Sequence, residues 1–539
     1  MSDTSPITPR PIGAVPVELE ISILASPRAH DDAGVAGQTG LPDAARLGSP
    51  ETVSIHARDL DKTFVTGVAW TASAKWLSQL VTWAITLVVA RLLAPSDYGL
   101  FGMAMVYIGL ATLFSEFGIG TAIIALRDLN NDQISQLNTL SLLLGLVSFA
   151  ISAAAAHPVG RFFKAPGLPV VIVVISTAFL TSAFRTIPYS LLAKDMKFKL
   201  IAMIDGFQAI AQGITSLTLA FLGYGYWALA VGILSSSIAS MALTLLYRRQ
   251  SFAWPRPSSL REPLRYSRDI IVGNLSWYLY DTSDFLIAGR VLGAAPLGAY
   301  TIAWTLAHVP LDKLTVVVNR LTPSLFSAVQ SDLAAVRRYL RTITEGLSLL
   351  ICPATIGTAL IAHDFVYVAL GRKWDGVVLP LGLLAIHAFI RSNVVLLAPV
   401  LNVTKGTRFG MWMNVASLVV LPVSFYLGSR WGTVGIAGVW VVIYPLLQLP
   451  LFWRVFRTIH MTGREYFTSL WPALNCSLLM AVVVETVKIT IGSKWPLPIC
   501  LAAEIVAGSF TYISALILIH RERFQSFVGL VKGLRAARA

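Results

Sequence analysis

The chain has 539 residues, 55% of them hydrophobic and only 13% charged, with a mean hydropathy of +0.69. A soluble domain carries roughly 25% Asp, Glu, Lys and Arg, so half the usual charge is missing, and a string of water-soluble domains of roughly 150 residues each is excluded. The charges present, 42 Lys and Arg against 28 Asp and Glu, leave a net of +14, which fits either a nucleic-acid surface or the cytoplasmic loops of a membrane protein.

Residues 1–62 are rich in Pro, Gly, Ala, Ser and Thr. Their most apolar stretch, Val15–Leu24, is broken by Glu18 and Glu20, so they read as a disordered cytoplasmic tail. The first long apolar stretch starts at Phe64, too far along the chain for a cleavable signal peptide. From there, stretches of about 20 apolar residues, enough to cross a roughly 30 Å hydrocarbon core, recur fourteen times. They fall at about 64–91, 98–124, 137–157, 168–188, 200–222, 226–247, 269–292, 297–326, 343–362, 377–401, 409–428, 434–454, 466–490 and 497–519. They lack strand alternation and are too long for barrel strands, which predicts an all-α polytopic membrane protein. With the N-terminus inside, the inner segments hold about 26 Lys and Arg and the outer ones about nine. Positive charge marks the cytoplasmic side, so both termini are expected there. No basic run with interleaved aromatics is left over for nucleic acid. Cys352, Cys476 and Cys500 sit in or beside apolar spans without metal-ligand spacing.

An internal repeat organises the spans. Ala90-Arg91-Leu92-Leu93-Ala94-Pro95-Ser96-Asp97-Tyr98-Gly99-Leu100-Phe101 returns as Gly289-Arg290-Val291-Leu292-Gly293-Ala294-Ala295-Pro296-Leu297-Gly298-Ala299-Tyr300, with Arg, Leu, Gly and an aromatic in register. Met196-Lys197-Phe198 pairs with Thr407-Arg408-Phe409. Gly225-Tyr226-Trp227-Ala228 pairs with Gly435-Ile436-Ala437-Gly438, both placed at turns before a span. The expected organisation is a six-helix lobe at 63–250, a basic cytoplasmic linker at 251–268, a second six-helix lobe at 269–460, and two extra helices with a basic tail at 461–539. An even number of helices per lobe makes the repeat parallel, the architecture of alternating-access transporters.

Arg91-Leu-Leu-Ala-Pro-Ser-Asp-Tyr-Gly-Leu-Phe and Phe117-Gly-Ile-Gly-Thr-Ala-Ile-Ile, followed by Ile187-Pro-Tyr-Ser-Leu-Leu-Ala-Lys-Asp-Met-Lys-Phe and Gly223-Tyr-Gly-Tyr-Trp-Ala-Leu, resemble the Wzx-type flippases of bacterial polysaccharide export. These belong to the multidrug/oligosaccharidyl-lipid/polysaccharide exporter superfamily, and the similarity covers roughly residues 60–520. The resemblance implies flipping of an undecaprenyl-diphosphate-linked oligosaccharide across the bacterial inner membrane. A polysaccharide polymerase and a chain-length regulator are the implied partners. The long N-terminal tail departs from the short start usual in that family.

Ionisable groups at mid-membrane cost roughly 2.5–3.5 kcal/mol on insertion scales and therefore face a cavity or a partner. Lys75, Lys313, Arg320 and Arg391 are the candidate substrate-binding residues, because a diphosphate needs cations and Arg can grip it with two hydrogen bonds. The competing reading for each is an ion pair with Glu116, Asp281 or Asp284, or a snorkel to the cytoplasmic face for Arg320. Pro310 and Asp312 suggest a kink beside Lys313. Asp281 and Asp284, three apart on one helical face, are candidate ion-coupling groups with Glu116, holding Na⁺ or relaying protons. The alternative is that they neutralise Lys or Arg across the lobes.

The tryptophans read chiefly as interface anchors, and His308 and His387 as packing side chains. Gly223-Tyr-Gly-Tyr-Trp-Ala has no strand before it, so it is no dinucleotide fingerprint, and no phosphate-binding loop or nucleophile elbow occurs. The expectation is therefore a transporter that is no enzyme and needs no cofactor beyond a coupling ion. An ion-coupled multidrug antiporter of the same fold is the nearest rival, but it would favour acidic cavity groups. A membrane glycosyltransferase or ligase would need a large extramembrane loop with catalytic acids; the longest internal loop here has about 20 residues.

Overall fold

A computed structural model describes residues 82–126, 129–256, 258, 260–404, 406–491, 495–523 and 525. The tail at 1–62 and most of the first expected span, Lys75 included, lie outside them. The described residues contain no strand. Their helices are α1 (Thr82–Leu92), α2 (Pro95–Glu116), α3 (Ile119–Ala125), α4 (Asn131–Phe163), α5 (Leu168–Ser176), α6 (Ala178–Lys194), α7 (Phe198–Phe221) and α8 (Trp227–Tyr247). After the connection at 248–260 come α9 (Arg261–Asp281), α10 (Ser283–Ile287), α11 (Ala294–Ala328), α12 (Leu333–Ala369), α13 (Val378–Val395) and α14 (Leu397–Val403). The chain closes with α15 (Thr407–Gly428), α16 (Gly432–Thr458), α17 (Gly463–Ile491) and α18 (Leu497–Ile519).

Ten helical stretches among the described residues are long and apolar enough to cross a membrane, and one of them, Thr407–Thr458, is the α15–α16 hairpin. Side chains such as Leu246, Phe510 and Leu518, 70–81% exposed, have only lipid to cover them. The chain is a multi-pass α-helical membrane protein. Where the sequence predicts single spans at 98–124 and 168–188, the helices break. Phe117 and Gly118 both take left-handed φ values, 44° and 62°, and divide α2 from α3. Thr177 bonds back to Val174 and divides α5 from α6. In contrast, α11 continues as one helix across Pro310, where a kink was expected.

The repeat has a physical meaning. Gly99 on α2 and Gly298 on α11 occupy matching positions in the two copies, and the two helices cross there backbone to backbone. A Cβ on Gly99 would stand 1.7 Å from the Ala294 carbonyl oxygen, and one on Gly298 would stand 1.8 Å from that of Pro95. Pro95 and Ala294 are themselves repeat mates, so the contact is reciprocal, as a two-fold axis between the copies requires. The third match needs a shift of register. Gly225, with φ 54°, is a turn residue, whereas Gly435 lies inside α16 and packs on the Gly428 carbonyl; the left-handed glycine that opens α16 is Gly432, with φ 67°.

At the same end of the bundle, side chains reach across to backbone carbonyls. Arg91 Nη1 donates to Val368 O (3.0 Å), Lys373 Nζ to Leu92 O (3.2 Å) and Trp374 Nε1 to Ala90 O (3.0 Å). At the connection between α8 and α9, Asn138 donates to Ser251 O (3.2 Å) and the Arg256 N–H to Gln136 (2.9 Å). α9 begins at Arg261, within the stretch read as linker. The pair α17–α18 packs on α12, where Tyr512 donates to Leu349 O (2.8 Å) and Cys352 and Cys476 lie buried as free thiols.

A candidate binding and coupling site

The sequence predicts one helix over 269–292, but the chain forms three pieces there. Thr282 and Ser283 turn their hydroxyls back onto the carbonyls of Tyr278 and Tyr280. Such side-chain bonds compete with the helical ladder, and α9 ends at Asp281. α10 follows, then a π-helical turn at Ala288–Leu292, then Gly293 at φ 90°. The break gives Asp281 and Asp284 separate partners.

Asp281 Oδ1 accepts a hydrogen bond from Arg391 Nη1 on α13 at 2.7 Å, and the two side chains are 17% and 18% exposed. The pair is sheltered but reachable. Asp284 is wholly buried. Its carboxylate accepts from the Tyr300 hydroxyl (2.7 Å), Trp440 Nε1 (2.9 Å) and the Phe285 N–H (2.8 Å). Three donors on one carboxylate are what a buried charge requires when no cation faces it.

Around these acids lies an aromatic layer. Trp304 stacks on His308 at 4.0 Å between ring centroids, His308 lies 5.3 Å from His387, and His387 lies 4.6 Å from Trp440. The guanidinium carbon of Arg391 is 6.0 Å from the Trp304 ring centroid, within reach of its π face. His308 Nδ1 bonds the Trp304 carbonyl (3.0 Å), so that nitrogen carries the proton, and Nε2 has no partner. Neither ring nitrogen of the fully buried His387 has a partner. The two histidines pack, as expected, but they do so within this layer.

Of the other candidates, Lys75 is outside the described residues. Lys313 and Arg320 belong to α11, with side chains outside the described set. Glu116 is the last residue of α2 and lies within electrostatic range of Arg185; among the described residues no hydrogen bond joins it to Asp281 or Asp284. Arg185 lies inside α6 over the Tyr189 ring at 4.3 Å. Sequence reasoning missed Tyr300, Trp304, Trp440 and Tyr444, the last packed edge-on against His387 at 5.2 Å between ring centroids, as members of the site. The signal that could have found them is spacing: Tyr300/Trp304/His308, His387/Arg391 and Trp440/Tyr444 each step by four, one face on each of three helices.

Chemically, the site offers one cation in a partly exposed ion pair beside a carboxylate held by neutral donors. No group of three or more His, Cys, Asp or Glu forms a metal site among the described residues.

Comparison with known proteins supplies the context. Residues 88–379 match the family described as Polysaccharide biosynthesis protein. The lipopolysaccharide biosynthesis protein WzxC of Escherichia coli (strain K12) is 25% identical over 439 residues, 80% of this chain and 88% of that protein. The succinoglycan biosynthesis transport protein ExoT of Rhizobium meliloti (strain 1021) is 23% identical over 481 residues, 87% of this chain and 96% of that protein. Among solved structures, the lipid II flippase MurJ in an inward closed conformation superposes with a TM-score of 0.67 at 13% identity, covering 84% of this chain and 98% of that one. That likeness establishes the fold.

Proposed function

The chain belongs to the polysaccharide biosynthesis protein family, and we propose that it is a flippase moving an undecaprenyl-diphosphate-linked oligosaccharide across the bacterial inner membrane. It is a transporter and catalyses no covalent step. The product feeds assembly of an exopolysaccharide, capsule or O-antigen, and the polymerase of that pathway is its natural recipient. Both termini face the cytoplasm, the side on which the Lys and Arg of the loops accumulate.

The observation that carries this reading is the Arg391–Asp281 pair, an exchangeable cation inside the membrane. In the resting state Asp281 neutralises Arg391. The diphosphate displaces it, and the carboxylate so freed takes up Na⁺ or a proton, so that substrate and coupling ion are bound together or not at all. The contacts of Arg91, Lys373 and Trp374 tie the two copies together at one end of the bundle, and on this reading breaking them opens the site to that leaflet. Lys75, Lys313 and Arg320 stay proposed as further substrate-binding cations on sequence grounds. A drug antiporter of the same fold is disfavoured by Arg391, which repels a cationic cargo.

The test is flipping of a labelled undecaprenyl-diphosphate oligosaccharide in proteoliposomes, with and without an imposed Na⁺ or proton gradient. Acceleration by one gradient supports the coupling. Indifference to both removes Asp281 and Asp284 from it while leaving the flippase reading in place.

A further inference from the structure

Arg91 and Arg290 are repeat mates with different fates. Arg91 is tied down by the Val368 carbonyl. In the other half, the turn at Phe163–Gly167 faces the turn at Arg290–Ala294 as Gly371–Trp374 faces Ala90–Leu92, yet the matching clamp is not made. A cavity of about 500 Å³ stands between the two turns, lined by Lys164, Arg290, Val291, Tyr226, Ser96 and Asp97 among others. Arg290 Nη1 is buried with no hydrogen-bond partner, and its guanidinium carbon lies 5.4 Å from the Phe162 ring centroid. No ion pair within 4 Å joins Arg290 or Lys164 to an acid among the described residues. Asp97, the one carboxylate among the described lining residues, is already used: it accepts from the Ala94 N–H at 3.0 Å and caps α2. Arg290 also sits in the π-helical turn, a costly local geometry that is commonest at functional sites.

We propose that this cavity binds a phosphate oxyanion, held between the guanidinium of Arg290 and the ammonium of Lys164. A buried guanidinium N–H without an acceptor is unfavourable, and a tetrahedral anion supplies acceptors to both cations at once. Two sources offer that chemistry, the diphosphate of a lipid-linked sugar and the headgroup of an anionic phospholipid. On the flippase reading and the charge-derived orientation the cavity lies at the exit side, where it receives the diphosphate after translocation; anion binding itself rests on neither.

The experiment uses the full chain in phosphatidylcholine nanodiscs, carrying Val291→Cys labelled with an environment-sensitive fluorophore. The native cysteines are buried, so the label reports this cavity. Inorganic pyrophosphate is titrated, and the titration is repeated in nanodiscs containing phosphatidylglycerol. A saturable response is expected, with its midpoint raised at least tenfold by Arg290→Gln and by Lys164→Asn, and unchanged by Arg464→Gln, which removes an exposed cation at the start of α17. Asn tolerates the left-handed φ of 54° at position 164, and Arg290→Lys, which keeps the charge, should fall between wild type and Arg290→Gln. A response that phosphatidylglycerol alone saturates, with the same dependence on Arg290 and Lys164, assigns the occupant as a lipid headgroup. No response to either probe, or a response indifferent to both substitutions, overturns the site. Loss of flipping with intact pyrophosphate binding would count against the transport reading alone.

Discussion

At the scale of single residues, the account turns on which charges are exchangeable and which are fixed. On the proposed reading Arg391 is the exchangeable one, because its acid partner among the described residues, Asp281, is partly exposed. A charge-assisted contact to phosphate is worth about 1.5–3 kcal/mol, so Arg391→Gln should slow flipping roughly ten- to hundredfold with the protein still inserted and monodisperse. Flipping at the wild-type rate would take Arg391 out of the site. Asp281→Asn should do something different. It leaves Arg391 without its neutralising charge, so transport should persist but lose its response to a Na⁺ or proton gradient, which the same liposome assay reads. Asp284 is fixed. Trp440→Phe keeps most of the ring volume but removes one donor from its carboxylate, and should lower stability by about 1.5–3 kcal/mol, seen as a reduced melting temperature in detergent. The acids and Arg391 were legible in the sequence because ionisable groups are conspicuous in apolar spans. Tyr300 and Trp440 were not, because aromatic residues are common throughout such helices and only the fold shows which ones meet Asp284.

At the scale of elements, helix existence followed from hydropathy and helix breaks did not. The span at 269–292 reads as continuous because its break is made by two hydroxyl side chains, Thr282 and Ser283, that satisfy the ladder locally and leave hydropathy unchanged. The break between α2 and α3 depends on a left-handed Phe117, which no propensity announces. The repeat, in contrast, was legible, and its glycines are explained by the α2–α11 crossing. There a side chain would have to enter the partner's carbonyl. Gly99→Val and Gly298→Val should each cost more than the about 1–3 kcal/mol of ordinary overpacking, because backbone cannot yield as a side chain does. Because the contact is reciprocal, the two substitutions should be similarly damaging. A variant at either position with wild-type melting and expression would show that the helices do not cross there.

At the scale of the whole molecule, the basic excess that opens the sequence is, on the proposed orientation, mostly a record of topology. The few charges inside the membrane carry the functional reading. Overall architecture was available from composition and periodicity because a bilayer admits so few folds. The site was only partly available, since its geometry depends on three helices distant in sequence meeting at one layer. The central claim is translocation of the lipid-linked sugar, and its most direct measurement is the leaflet distribution of a fluorescent undecaprenyl-diphosphate oligosaccharide in liposomes containing the purified chain. With the probe in one leaflet at the start, wild-type protein should render it accessible to an impermeant quencher on the other side far faster than protein-free liposomes do, and Arg391→Gln should remove most of that difference. Equal, slow rates with and without the wild-type protein would contradict the account.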